Sequence, residues 1–172
     1  MRISKTSKIY IAGHRGMVGS ACWRALEQAG YSNLTGKSSK SLDLKNQQDV
    51  YDYIGNEQPN VIIDAAAKVG GILANDSFPY EFLMENMQIQ NNLISSAHEL
   101  NIQKFIFLGS SCIYPKLAPQ PLKEEYLLTN SLETTNEWYA IAKISGIRMC
   151  QAYNKEYKTN YLSIMPTNLY GP

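Results

Sequence analysis

The chain has few cysteines, no long apolar run and no excess of either charge. Three of its 172 residues are cysteines, an odd number without C-x-x-C spacing. A disulfide framework or a zinc site is therefore not expected. The cysteine usage instead predicts a reducing, cytoplasmic compartment. Sixteen basic residues nearly balance fifteen acidic ones, which indicates neither a nucleic-acid-binding nor a membrane-binding surface. The apolar run at residues 9–12 is too short for a signal peptide or a membrane helix.

Strand-like and helix-like patterns alternate along the whole chain. Short apolar, β-rich runs predict strands at residues 8–12, 31–34, 61–67, 104–110 and 160–165. Apolar residues at helical spacing predict helices at residues 16–29, 46–56, 79–100 and 136–157. The continuous apolar run at residues 61–67 is typical of a strand buried on both faces. Repeated β-α-β units of this kind predict an α/β fold, with a parallel sheet covered by helices on both sides.

The chain is predicted to form one domain over residues 1–172, because no internal repeat, low-complexity tract or linker interrupts it. Its last residues, 168–172 (NLYGP), directly follow a predicted strand. A complete protein would more naturally close with a helix at that point. The chain is therefore expected to be a fragment.

Three glycines lie between the first predicted strand and the first predicted helix. Gly13 permits a tight turn, Gly16 lets the backbone approach a pyrophosphate, and Gly19 lets helix and strand pack closely. The helix N-terminus adds free N–H groups and the positive end of its dipole. A simple tight turn would also use glycines. Their position between strand and helix instead favours a Rossmann-type, doubly wound parallel sheet that binds a dinucleotide.

The residues that follow the glycine loop favour NADP over NAD. An NAD-specific site usually has a carboxylate about twenty residues further on, against the ribose hydroxyl. Here that stretch, residues 37–40, reads Lys-Ser-Ser-Lys, and Arg15 lies within the glycine loop. Cations and hydroxyls suit a 2′-phosphate, although a solvated basic turn would have the same composition. Asp43 and Leu44 follow closely and are candidates for contact with the adenine.

A Y-x-x-x-K pattern, formed by Tyr139 and Lys143, lies on the last predicted helix. Spacing of four places phenol and ammonium on one helix face. The ammonium favours the phenolate, so the pKa of Tyr139 is expected to fall from about 10 toward neutrality. Tyr139 can then exchange a proton with a substrate oxygen. A surface pair would show the same pattern, but its position downstream of a dinucleotide-binding loop favours catalysis.

Two serines, Ser110 and Ser111, follow the fourth predicted strand. Ligands bind at the carboxyl ends of strands in open α/β sheets. A hydroxyl there can hold a substrate carbonyl and stabilise the alkoxide that forms during hydride transfer. Both serines compete for this role on residue type alone, and at least one is expected to be a turn or capping serine.

Together these elements resemble the extended short-chain dehydrogenase/reductase superfamily and, more closely, the family of GDP-L-fucose synthases. The resemblance runs from residue 8 to the last residue. It is carried by AGHRGMVGS (12–20), AAAKVGGI (65–72), LGSSCIYPK (108–116), TNEWYAIAK (135–143) and MPTNLYGP (165–172).

The resemblance implies an NADPH-dependent enzyme that acts on GDP-4-keto-6-deoxy-D-mannose. That family epimerises carbons 3 and 5 and reduces the ketone at carbon 4, which gives GDP-L-fucose. It also implies a homodimer and a C-terminal substrate domain that is missing from this chain.

The resemblance assigns roles to four catalytic candidates. It selects Ser110 over Ser111 and makes Cys112 the base that removes the protons α to the ketone, if nearby cations lower the pKa of its thiol. Tyr139 protonates the carbon-4 oxygen, and Lys143 orients the nicotinamide ribose. The acid histidine of the family lies beyond residue 172, and neither His14 nor His98 occupies its position.

The expected cofactor contacts combine the glycine loop with the matching segments of the family. Family members often have an arginine near Ser39, so contact with the 2′-phosphate is expected to shift to Arg15, Lys37 or Lys40. The full set is Gly13, His14, Arg15, Gly16, Met17, Val18, Gly19, Ser39, Lys40, Ser41, Leu42, Asp43, Leu44, Leu108, Gly109, Ser110, Ser111, Lys143, Pro166, Thr167, Asn168 and Leu169.

Two alternatives stay open. Another nucleotide-sugar epimerase or dehydratase is one, although a 4,6-dehydratase is expected to have Thr-Asp-Glu where this chain has Ser-Ser-Cys, and a simple 4-epimerase has no need of Cys112. A non-catalytic NADP-binding module is the other, since it would retain the glycine loop and lose the catalytic residues. The chain by itself is predicted to have no measurable synthase activity.

Overall fold

The computed structural model of the protein describes residues 3–171, so the predicted domain of 1–172 includes three positions outside the described residues. Ten helices and strands, with short 3-10 turns after β4, build the described part. They are β1 (Ile9–Ala12), α1 (Met17–Gln28), β2 (Leu34–Thr35), α2 (Gln47–Glu57), β3 (Val61–Asp64), α3 (Ile72–Ser77), α4 (Pro79–Glu99), β4 (Lys104–Leu108), α5 (Glu137–Tyr157) and β5 (Tyr161–Ile164). In this described part, no helix is both long and apolar enough to span a membrane.

The five strands form one sheet in the order β2-β1-β3-β4-β5, and every neighbouring pair is parallel. From β1 the chain moves outward to β2, returns to β3 and then continues in the opposite direction. The predicted α/β fold with a doubly wound parallel sheet is therefore confirmed. In such a sheet the strand order reverses between β1 and β3, and the crevice at their carboxyl ends is the usual ligand site.

Apolar side chains cover one face of the sheet and the β1 and β3 part of the other, whereas Leu162 and Ile164 of β5 stay about half exposed. On one face Tyr10, Ile62 and Phe105 are buried beneath α2, α4 and α5. On the other, the core residues of β1 and β3 pack against Trp23 and Leu26 of α1. Each fully buried large side chain contributes about 1.5 to 3 kcal/mol relative to an exposed one, so the two layers hold the strand ends in fixed positions.

Three predicted strand boundaries were wrong, and the short helix α3 was not predicted. The second strand was expected at residues 31–34 but begins at Leu34, because the N–H of Tyr31 donates to Leu26 O at the end of α1 and Gly30 turns the chain there with φ +84°. Strand β3 ends at Asp64 rather than at residue 67, because the Ala66 N–H donates to the Asp64 carboxylate instead of to a neighbouring strand. Strand β4 ends at Leu108 rather than at residue 110.

Candidate active site and dinucleotide cleft

A cleft of about 480 Å³ opens at the carboxyl ends of β1, β3 and β4. Four segments of the chain meet there, together with two side chains of α5. The lining residues are Gly16, Met17, Val18, Ala65, Ala67, Val69, Gly70, Asn75, Leu108, Gly109, Ser110, Tyr139, Lys143, Pro166, Thr167, Asn168 and Leu169. The structure thus brings together the middle of the glycine loop, the end of β4 and the segment after β5, three regions that the sequence predicted to meet.

The glycine loop has the geometry that its spacing predicts. Gly13 has φ +75°, a left-handed conformation that favours glycine, and the Gly16 N–H donates to Gly13 O at 2.9 Å to close the turn. A Cβ atom on Gly13 would lie 2.8 Å from Ala65 O, and one on Gly19 would overlap the Gly13 backbone. The loop therefore packs directly against the end of β3, and the N-terminus of α1 faces the cleft.

Substitution Gly13→Ala is expected to weaken NADPH binding and to lower the free energy of unfolding by about 1 to 3 kcal/mol. The added methyl group is strained at φ +75° and collides with backbone that cannot move aside. Gly30→Ala is the matched control, since Gly30 also has positive φ but a Cβ atom added there would meet nothing within 4 Å. Calorimetric titration with NADPH should show a loss for Gly13→Ala alone, and equal affinities for both variants would contradict the assignment.

Five cleft-lining residues were not in the predicted set, and four of them lie in the loop after β3. These are Ala65, Ala67, Val69 and Gly70, with Asn75 of α3 as the fifth. The buried side chain of Asn86 on α4 holds this loop in place. Its Oδ1 accepts from the Lys68 N–H at 2.9 Å, and its Nδ2 donates to Lys68 O at 3.0 Å and to Phe82 O at 2.7 Å. The AAAKVGGI block marked the loop, but nothing in the sequence marked the amide that clamps it.

Substitution Asn86→Ala is expected to lower the free energy of unfolding by about 2 to 3 kcal/mol, because it leaves the backbone groups of Lys68 without their partner. NADPH binding should weaken as well, since the clamped loop lines the cleft. Gln88→Ala is the control on the exposed side of the same helix. Urea unfolding of the two variants measures the difference, and equal midpoints would show that the clamp does not stabilise the loop.

The four catalytic candidates gather at the end of β4. Tyr139 and Lys143 lie one turn apart on α5, and the Lys143 ammonium is 5.8 Å from the Tyr139 ring centroid. The same ammonium donates to Leu108 O at 2.8 Å. Ser110 caps the following 3-10 turn, its Oγ accepting from the Cys112 N–H at 3.3 Å. Ser110 lines the cleft, whereas the N–H of Ser111 donates to Pro166 O at 3.0 Å, a backbone contact that joins the β4 and β5 ends.

The expected fall in the pKa of Tyr139 was wrong for this structure. Burial is the main cause that raises the pKa of Tyr139, and the nearby Cys112 and Asp64 raise it further. Burial likewise raises the pKa of the Cys112 thiol, although its hydrogen bond with Ser110 and the Lys143 charge oppose the effect. Burial lowers the pKa of Lys143, and Asp64 and Cys112 oppose that shift. Desolvation therefore dominates this site and favours the neutral form of each group.

The candidates for the adenine and 2′-phosphate end lie outside the cleft lining. His14 packs on Trp23, with ring centroids 5.6 Å apart, and its ring lies so close to Gly36 that a Cβ there would collide with it. Burial, assisted by the Arg15 charge, lowers the pKa of His14. This contact brings the glycine loop beside the basic turn at residues 37–40. Five of the predicted cofactor contacts in this region are exposed, namely Arg15, Ser39, Lys40, Ser41 and Asp43.

Leu42 and Leu44 are placed differently from the rest of this group. The Leu42 side chain is buried in the core, and Leu44 packs against that core while its carbonyl accepts from the Asn92 amide at 2.9 Å. The Leu42 side chain therefore contributes to packing, whereas the Leu44 side chain is only partly buried.

The chain is similar to known proteins over almost its whole length. The family model for the NAD dependent epimerase/dehydratase family matches residues 9–172. The chain is 56% identical over 168 residues to GDP-L-fucose synthase 1 of Arabidopsis thaliana, covering 98% of this chain and 52% of that protein. It is 52% identical over 165 residues to GDP-L-fucose synthase of Escherichia coli (strain K12), covering 96% of this chain and 51% of that protein.

The fold is also similar to that of a solved structure. The GDP-D-glycero-L-gluco-heptose synthase CJ1428 of Campylobacter jejuni, crystallised in the presence of NADPH, superposes with a TM-score of 0.95 at 40% identity. The match covers 99% of this chain and 50% of that one. The chain therefore spans about half the length of the relatives that it matches.

Proposed function

We propose that this chain, which belongs to the NAD dependent epimerase/dehydratase family, is the nucleotide-binding half of a GDP-L-fucose synthase. Such an enzyme epimerises GDP-4-keto-6-deoxy-D-mannose at carbons 3 and 5 and reduces it at carbon 4. The observation that carries the proposal is the convergence of Ser110, Cys112, Tyr139 and Lys143 at the end of β4. The names of two relatives that are more than half identical to the chain, both GDP-L-fucose synthases, support the same product.

The residues around the cleft fit NADP. The left-handed turn at Gly13 and the close approach at Gly19 keep the loop free of side chains where a pyrophosphate would contact backbone N–H groups. Arg15, Lys37 and Lys40 supply positive charge near the glycine loop for a 2′-phosphate. When bound, NADPH supplies the hydride for carbon 4. Leu108, Gly109 and the segment at residues 166–169 would then hold the nicotinamide end within the cleft.

Cys112 is the proposed base for epimerisation. The protons on carbons 3 and 5 are α to the carbon-4 ketone, so their removal leaves an enolate whose charge rests on the ketone oxygen. The Cys112 thiolate takes the proton and becomes a thiol, and an acid on the opposite face returns a proton to carbon. Because burial raises the pKa of the thiol, Ser110 and Lys143 are needed to favour the thiolate.

Tyr139 and Ser110 are the proposed partners of the ketone oxygen during reduction. The raised pKa of Tyr139 keeps the phenol protonated, which is the state required to donate to the oxygen as carbon 4 accepts the hydride. The Ser110 hydroxyl lines the same cleft and can donate a second hydrogen bond to the developing alkoxide. Lys143 lies deeper, where its position is fixed by Leu108 O, and is placed to orient the cofactor ribose.

Preference for NADPH over NADH is expected to depend on the basic residues beside the glycine loop. The double substitution Arg15→Ala/Lys40→Ala should weaken NADPH binding about tenfold or more, because each removes a charge near the 2′-phosphate, and should leave NADH binding unchanged. Lys155→Ala, an exposed lysine at the end of α5, is the control. Fluorescence titration with both nucleotides measures the two constants. An equal loss for NADH would contradict this position for the 2′-phosphate.

A direct test uses the full-length protein with NADPH and a panel of GDP-linked 4-keto sugars, with nicotinamide absorbance as the readout. Consumption that depends on GDP-4-keto-6-deoxy-D-mannose supports the proposal. The 40% identity with a GDP-heptose synthase favours a second candidate, a GDP-sugar epimerase/reductase of different sugar specificity. Turnover of a GDP-4-keto-heptose alone would favour that candidate instead.

The homodimer and the cytoplasmic location that the sequence suggested stay predictions. Helices α4 and α5 are packed together, and exposed apolar side chains such as Tyr80, Trp138 and Ile141 lie along them. We infer that these helices supply the contact between two copies. Sedimentation of the full-length protein measures its oligomeric state directly.

A further inference from the structure

Asp64, the last residue of β3, is a carboxyl group enclosed in the core. Its side chain has no exposed surface. Its Oδ1 accepts from the Ala66 N–H at 3.1 Å, whereas Oδ2 is buried without a hydrogen-bond partner among the described residues. A buried carboxylate with an unsatisfied oxygen is costly, so a nearby positive charge is needed to hold it ionised.

The register of the sheet places Lys143 beside this carboxyl group. Asp64 is paired with Phe107 of β4, and paired residues of neighbouring parallel strands project to the same face about 5 Å apart. The Lys143 ammonium lies over that same Phe107 ring, 4.8 Å from its centroid, and Lys143 is itself only 3% exposed. Carboxyl and ammonium therefore share one buried layer between β3, β4 and α5.

The other titratable groups that face Asp64 are Tyr10 of β1 and Tyr139 and Cys150 of α5. Burial is the main cause of a raised pKa in all three, so they are uncharged at neutral pH. Cys112 interacts electrostatically with Lys143 and Tyr139 from the turn after β4. Among these groups Lys143 is the cation.

We propose that Asp64 is a positioning residue, the buried counter-ion of Lys143. It keeps Lys143 as an ammonium beneath the cleft. It also offsets the attraction of that ammonium for the Tyr139 phenolate. Its role in turnover rests on the proposed function. The charge coupling between Asp64 and Lys143 is a property of the fold and needs no substrate.

The pH dependence of the pair follows from the two shifts. Burial raises the pKa of Asp64 to about 6, and Lys143 opposes the shift. Because the folded state holds the Asp64 proton to higher pH than the unfolded state, this carboxyl stabilises the fold at acidic pH and that contribution is lost as the pH rises through about 6. Above that pH the ionised Asp64 raises the pKa of Lys143. Ionised Asp64 therefore favours the ammonium form of Lys143 against the effect of burial.

Titration of the aspartate 13Cγ resonances in the full-length protein tests the coupling. We expect one carboxyl group with a midpoint near 6 that is absent from the Asp64→Asn spectrum. In Lys143→Met its midpoint should rise by about one unit or more, because the opposing cation is gone. Lys143→Arg, which keeps the charge, is the matched control and should return the midpoint to within about half a unit of wild type. A midpoint unmoved by Lys143→Met, or the same in the Met and Arg variants, would overturn the proposal.

The pH profile of turnover tests the consequence for the site. In Asp64→Asn the basic limb of kcat/KM should move to lower pH by about one unit, because loss of the Asp64 charge lowers the pKa of both Lys143 and Tyr139. An unshifted limb would overturn the role assigned to Asp64 in turnover. If Asp64→Asn does not fold, the Lys143 variants still decide the coupling. If the protein turns over no GDP-sugar, the proposed function fails while the titration still reports on the pair.

Discussion

Tyr139→Phe is expected to lower kcat for reduction of the carbon-4 ketone by a factor of about 100 to 10,000, while the fold and NADPH binding are unchanged. The phenol lines the cleft and is kept protonated by burial, so it is the group placed to donate to the ketone oxygen. Phenylalanine keeps the ring that packs in the site and removes only the hydroxyl. Stopped-flow absorbance of NADPH under single turnover measures the chemical step.

The matched control is Tyr157→Phe, at the exposed end of the same helix. It should retain wild-type kcat. A Tyr139→Phe enzyme whose KM rises while kcat is retained would show that the hydroxyl binds substrate without donating the proton.

Cys112→Ser is expected to slow exchange of the carbon-3 and carbon-5 protons with solvent by a factor of about 100 or more, while hydride transfer continues. A serine hydroxyl is a far weaker acid than a thiol, so it supplies almost no oxyanion to act as base. The serine side chain is otherwise similar in size to that of cysteine and occupies the same position after β4. Sugar that is reduced without epimerisation should therefore accumulate, and mass spectrometry in deuterated water measures the missing label.

Cys22→Ser is the control, because Cys22 lies half-buried on α1 away from the four catalytic candidates. Exchange at wild-type rate in Cys112→Ser would remove the thiol from the mechanism. Loss of reduction together with exchange would point to a structural role for Cys112 instead.

The architecture was predictable because each local pattern agrees with the global fold. The apolar runs of β1, β3 and β4 could be satisfied only by a sheet covered on both faces, and the glycine spacing located the first turn. The boundaries were less predictable, since they depend on hydrogen bonds between distant residues. Strand β3 ends where the Asp64 side chain captures the Ala66 N–H, and the sequence alone does not show that contact.

The site was predictable where it lies close in sequence to a motif. Ser110, Tyr139, Lys143 and residues 166–169 line the cleft, and their roles there stay predictions. Two features required the three-dimensional structure. Asn86 reads as one position on the apolar face of a helix, yet it clamps the loop after β3. Asp64 reads as part of an apolar run, yet it is a buried carboxyl group near Lys143.

The electrostatics of Tyr139 were the hardest to predict. The Y-x-x-x-K spacing correctly places the ammonium near the ring, but whether the pKa falls depends on burial and on every other charge nearby. Burial, followed by the nearby Cys112 and Asp64, raises the pKa of Tyr139 here. Charged groups within otherwise apolar runs are the sequence signal that would have indicated this, because an unpaired buried charge is rare.

The most direct test of the proposed function is NMR analysis of the sugar formed by the full-length protein from GDP-4-keto-6-deoxy-D-mannose and NADPH in deuterated water. We expect GDP-L-fucose that carries deuterium at carbons 3 and 5, formed with one equivalent of NADPH consumed. A product reduced at carbon 4 but without deuterium at carbons 3 and 5, or no consumption of NADPH at all, would contradict it.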